Sequence, residues 1–352
     1  MNQRRILILP IAALFLFACQ GLVPAATLPA ASPPGAVEQT QVPMETEIVP
    51  PSSTDVPSPT IVPTPDRHFG QIARAHIEAL TAIGARYPGT ENERAAAQYI
   101  MDEFTRMGYS PQKKIFAAWD ENDYEFQSAN VWAVKQGSSA KEIIIGAHYD
   151  SGNESLGADD NASGVAVMLE VAEQIAKLPT PYTIRFIAFG SEENDLDGSY
   201  FYVARMKPEE VNNTLAMVNL DTLASGDITY VYSDEGEKAF LRDWVLEWAG
   251  KNNVPLETIP NVDLTDNGDY VADYGAFKDA GIPFIYFEAT NWNLGNKDGW
   301  MQVDAQFGDE GYIWHTQYDN LAYIDATFPG RVNEHMRIFV SALFAVCTQF
   351  QQ

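Results

Sequence analysis

Two hydrophobic periods alternate along most of this chain. Apolar residues at helical spacing (Ile72, Ala75, Ala79, Leu80, Ile83) mark a helix over His68–Gly84, and a second opens at Glu91 and runs to Met107 after the turn Tyr87-Pro88-Gly89-Thr90. Beyond them, short apolar runs predict strands at 131–134, 143–147, 184–188, 216–220, 228–231 and 284–287. Helical stretches separate them at 162–177, 198–206, 235–251 and 324–350. Strand–helix alternation of this kind predicts an α/β fold, a three-layer α/β/α sandwich around a mixed, mostly parallel sheet. No internal repeat is visible, and residues 66–352 are expected to form one domain.

The first 65 residues do not share this pattern. Arg4 and Arg5 precede an apolar run from Ile6 to Phe17, too short to span a bilayer and patterned as a secretory signal. It ends in L-F-A-C at 16–19, which resembles a bacterial lipoprotein cleavage site with Cys19 as the lipidated residue; simple signal cleavage and secretion is the alternative. Residues 20–65 hold eleven of the 21 prolines, mixed with Ser, Thr and Ala. Such a stretch buries too little apolar surface to fold and favours extended polyproline II, so a semi-rigid tether is expected. The folded domain would then be extracytoplasmic, touching a membrane only through the Cys19 anchor. Cys347, in an apolar helical pattern, is expected to be a buried thiol with no disulfide partner.

Charge narrows the partners. The chain carries −26, and its first 65 residues hold four acids and two bases, leaving 44 acids against 20 bases beyond them. A domain at −24 is a poor partner for nucleic acid. The same field attracts cationic peptides.

The candidate chemistry lies where the predicted strands end, as ligand sites do in open α/β sheets. His148 follows I-I-I-G-A, Glu192 and Glu193 follow I-R-F-I-A-F-G, and Asp221 closes A-M-V-N-L. Asp160 lies in G-A-D-D-N-A-S-G at 157–164 and His315 in W-H-T at 314–316. Zinc takes imidazole and carboxylate where cysteine is absent. One bridging carboxylate with two His and two acids serves two ions about 3.5–4 Å apart. The expected arrangement puts His148 and Asp221 on one zinc, Glu193 and His315 on the other, and Asp160 between them. Glu192 stands where a general base is needed, and Asp150 is placed to hold the second ring nitrogen of His148. Any one fragment alone reads more simply as a buried histidine, a solvated acidic loop or a helix cap. All five together, in a chain with five histidines, read as a metallohydrolase.

These fragments resemble the two-zinc aminopeptidase family, which shares its fold with glutaminyl cyclases. The likeness covers roughly residues 68–345 and includes E-E-N-D-L-D-G-S at 192–199 and D-Y-G-A-F-K-D-A-G-I-P at 273–283. It implies two Zn2+ ions and an exopeptidase acting on peptide or protein N-termini, with a preference for basic residues. Two positions depart from the pattern: Trp314 stands where some members have Tyr, and Tyr274 where many have His. A guanidinium could meet Asp298, in the loop Asn291–Trp300, or the acids of Asp263–Asp273. The rival outcomes on this fold are a cyclase-like zinc acyltransferase, a carboxypeptidase, and an ectodomain that has lost its metals. All five ligand types together with Glu192 favour the hydrolase.

Overall fold

The computed structural model describes residues 68–304 and 311–352; the expected signal segment, lipidation site and tether lie outside them. Four strands form the middle of a seven-stranded sheet: β3 (Ser139–His148), β4 (Tyr182–Phe189), β5 (Thr214–Leu220) and β9 (Phe284–Thr290). They pair in parallel in the order β4-β3-β5-β9. Their near-continuous apolar sequence follows from burial on both faces. In β3, Ile143, Ile145 and Ala147 join one core, while Ile144 joins the other.

Among the described residues, the antiparallel pairing in this sheet lies at its flanks. β1 (Gln112–Trp119) and β2 (Glu125–Lys135) form a hairpin against β4, and β6 (Ile228–Tyr232) closes the far edge against β9. β1 was not expected, although residues 115–119 form an apolar run: apart from Phe116 and Ala118 its residues are exposed, as suits an edge strand. A small hairpin, β7 (Thr265–Asp266) with β8 (Asp269–Tyr270), was not expected either and lacks an apolar signal.

Helices cover both faces, which gives the expected three layers. α1 (Gln71–Ile83), α2 (Glu91–Arg106), α3 (Gly164–Ile175), α6 (Phe240–Asn252) and α9 (Arg331–Gln349) bury residues in one core. On the other face lies a smaller, aromatic core served by α4 (Asp197–Val203), α5 (Pro208–Asn213) and α7 (Tyr274–Asp279). The expected helix at 324–350 is two, α8 (Leu321–Thr327) and α9, because Pro329 lacks an N–H and Gly330 turns at φ 86. The expected helix from 162 starts at Gly164, since Asp160 and Asn161 hold non-helical angles. Cys347 is buried, as expected.

Candidate metal centre

The loops at the carboxyl ends of the parallel strands gather the candidate residues. His148 ends β3 and Asp221 follows β5 directly. Parallel register sets Gly146 beside Asn219, so two residues on His148 and Asp221 are neighbours on one sheet face. Glu192 and Glu193 follow β4 through Ser191, which sits at φ 59; Thr222 at 48 and His315 at 60 are left-handed as well. Such angles in non-glycine residues concentrate at functional sites.

Asp160 stands in the middle. One carboxylate oxygen lies 3.1 Å from His148 Nε2, and the other 3.1 Å from His315 Nε2. His148 Nε2 is also 3.3 Å from Asp221 and 3.8 Å from Glu192, and His315 Nε2 is 2.6 Å from Glu193. A single ring nitrogen makes one hydrogen bond, so three carboxylates around His148 Nε2 suit a shared cation better than mutual hydrogen bonding. Two triads, His148–Glu192–Asp221 and His148–Asp160–Glu193, hold ligand atoms within 4.8 Å of one another. Two imidazoles and a set of carboxylates, with no thiol, form a donor set that zinc accepts.

The electrostatics carry the same demand for cations. Burial pushes Glu193 up to about 7, helped by the Asp160 charge, and pushes Glu192 well above the carboxylate range. Burial would also raise Asp160, yet its bonds from His148 and His315 hold it well below the usual range. For His315 burial works downward, and Asp160 and Glu193 lift it instead to about 11.

Asp150 departs from its expected part. It faces His148 Nδ1 at 3.6 Å, too long for a hydrogen bond, and its other oxygen accepts the Glu193 N–H at 3.0 Å. It therefore orders the Glu193 backbone as well as flanking the imidazole. Tyr274 is buried and donates to the Leu264 carbonyl, away from the ligands. Trp314 stacks on Tyr312 at 4.2 Å and meets the His315 ring edge-on at 4.9 Å.

Several buried residues that hold the candidate ligands in place had not been anticipated. Asp319 accepts the backbone N–H groups of Asp159 and Asp160 at 2.6 and 3.1 Å. Asp159 accepts from Ala224 N and from Gln302 Nε2, both at 2.6 Å, and Gln302 Oε1 accepts the Ile313 N–H at 2.8 Å. Gln302 thus joins the Asp160 loop to the His315 loop. Arg86, fully buried, donates to the carbonyls of Tyr149, Leu156 and Gly157, pinning the segment between His148 and Asp160. At Gly164 a Cβ would meet the Leu220 carbonyl at 2.4 Å, so glycine lets α3 approach β5 beside Asp221. Asp319 was visible only as a polar residue near His315, and Gln302 gave no signal.

A cleft of about 470 Å3 opens over the cluster, lined by His148, Asp160, Glu192, Glu193, Asp221 and His315. Its outer wall includes Asp263, Asp266, Asp269, Asp298, Trp292 and Trp300. Asp273 is buried instead, and burial raises it to about 7.

Residues 130–340 match peptidase family M28. The chain belongs to peptidase family M28. It is 34% identical over 299 residues to the alkaline phosphatase isozyme conversion protein of Escherichia coli, covering 76% of this chain and 86% of that protein. The fold is similar to a zinc aminopeptidase from Bacillus subtilis, TM-score 0.64 at 18% identity over 80% of this chain and 96% of that one. It is similar as well to the glutaminyl cyclase of Porphyromonas gingivalis, TM-score 0.60 at 20% identity over 78% and 99%. Both likenesses are of fold. As a member of M28 the chain is a zinc-dependent hydrolase of the metallo-aminopeptidase class.

Proposed function

We propose that this chain is an exported aminopeptidase that uses two zinc ions to release single residues, preferably basic ones, from peptide or protein N-termini. The observation that carries the two-ion reading is Asp160, whose two oxygens face His148 and His315 at the same 3.1 Å. His148 and Asp221 would hold one ion, Glu193 and His315 the other, with Asp160 shared. When bound, zinc supplies Lewis acidity and an acidified water. Glu192, beside the His148–Asp221 half, takes the water's proton and delivers it to the leaving amine. Free carboxylate oxygens in the cluster offer partners for a substrate α-ammonium, which favours removal of one residue at a time.

Export rests on the Arg4-Arg5 apolar segment and L-F-A-C, with Cys19 as lipid anchor and residues 20–65 as tether. The basic preference rests on the −26 charge and on the presence of carboxylates along the cleft beyond the metal cluster. The test is hydrolysis of aminoacyl-coumarin amides by the zinc-loaded protein, with chelator and with zinc restored. Chelator-sensitive, zinc-restored cleavage led by arginine or lysine is expected. Cyclisation of glutaminyl peptides without amide hydrolysis would replace this reading with a cyclase.

A further inference from the structure

The row of residues that begins at the metal centre continues one strand further. His148 on β3 and Asp221 beyond β5 face the same side of the sheet, and register carries that side across to β9. Asn219 pairs with Tyr286 and Leu220 with Phe287, and the Asp221 N–H donates to the Phe287 carbonyl at 3.2 Å. Glu288 is therefore the next residue in the row, about 4.8 Å of strand spacing beyond Asp221. It lines the same cleft as the metal cluster.

Its surroundings are unusual for a carboxylate. Tyr286 and Trp292 line the cleft with it, and Tyr232 packs against both rings at centroid distances of 6.0 Å. The Tyr232 hydroxyl accepts the Trp292 Nε1–H, which leaves its own hydrogen to donate to Glu288. Among the described residues no Lys, Arg or His forms an ion pair with Glu288, although Arg74, Arg106, Arg185, Arg242 and Arg331 all pair with acids elsewhere. A carboxylate half-withdrawn from water needs a cation or another compensating partner. Aromatic faces beside it suit the flat guanidinium of arginine or the stem and ammonium of lysine.

We propose that Glu288 is the specificity residue of this site, recognising the cationic side chain of an N-terminal arginine or lysine while the scissile bond lies at His148, Asp221 and Glu192. This rests on the aminopeptidase reading and deepens it. It moves the recognition from Asp298 and the Asp263–Asp273 acids, on the outer wall or buried away from the cleft, to a single residue one strand from the metal ligands.

The test is calorimetric binding of argininamide, lysinamide and leucinamide to the full-length zinc-loaded protein and to its E288Q, D298N and D263N variants. Hydrolysis of the matching coumarin amides runs in parallel. In E288Q the preference for argininamide over leucinamide should fall by about 30-fold or more, with the loss in hydrolysis appearing in KM. D298N and D263N should change that preference less than about threefold, as expected for exposed charges. An unchanged preference in E288Q overturns the proposal. So does an equal loss for all three amides, which would place Glu288 at the α-ammonium, and so does wild-type protein without preference for the basic amides. Glu288-dependent argininamide binding without any hydrolysis would uphold the subsite and overturn the aminopeptidase reading alone.

Discussion

The two histidines of the cluster are held in very different ways. His148 ends a central strand, its side chain is 1% exposed, and Asp160, Asp221 and Glu192 crowd its Nε2. His315 lies on a loop, its side chain 47% exposed, and bonds to Asp160 and Glu193. The first half is built into the sheet, whereas the second is set by loop contacts such as those of Gln302. A site of this kind has one half fixed by the sheet, which includes the proposed base Glu192, and one half that opens to solvent.

The largest effect should come from Glu192. Glu192→Gln keeps the side chain's shape and both ligand sets, so bound zinc should stay at the wild-type level while turnover falls by about 10^3-fold or more. Retention of most activity would remove Glu192 from the base role. Next, alanine at each histidine separates the halves. His148 would hold the ion beside Glu192, so His148→Ala should keep about one equivalent of zinc by atomic absorption and lose nearly all turnover. His315→Ala should keep about one equivalent and lower activity about 100-fold. Equal loss of activity in both variants would break the distinction.

Acid should act on the buried half. His335 bonds the backbone at Leu223 and Ala224, just past Asp221, and burial drives it down to about 3, with the Arg331 charge adding. The folded value lies below the unfolded value of about 6.5, so the unfolded chain binds the extra proton. This stability is whole above about pH 6.5 and drains away as pH falls toward the folded value. Between pH 7 and pH 5 the metal-free protein should lose about 2 kcal/mol from this residue, read as a shallower pH slope in denaturant melts of His335→Gln. Matching slopes in the two proteins would refute it. The smallest effect is expected at Gln302, where Gln302→Leu should weaken zinc retention about tenfold in the His315 half only.

The same contrast explains what could be read from the chain. His148 and Asp221 were legible because they close apolar runs, I-I-I-G-A and A-M-V-N-L, that are buried on both faces and so announce strand ends. The position of His315 came from the family-like W-H-T, since no periodicity locates a loop. Gln302 and Asp319 matter through bonds to residues 11 to 160 positions away, and no local pattern encodes such contacts. Glu288 was hidden differently. It sits inside an apolar strand and reads as a solvated residue until register places it beside Asp221. The break between α8 and α9 was written in Pro329-Gly330, but the hydrophobic period runs on across it.

The most direct measurement is a zinc titration of the chelator-stripped protein that follows bound metal and hydrolysis of one peptide with a free N-terminus and its N-acetylated twin. Two equivalents bound, with cleavage of the free peptide alone, is the predicted result. Saturation at a single equivalent with full activity, or equal cleavage of the acetylated peptide, would contradict a two-zinc aminopeptidase.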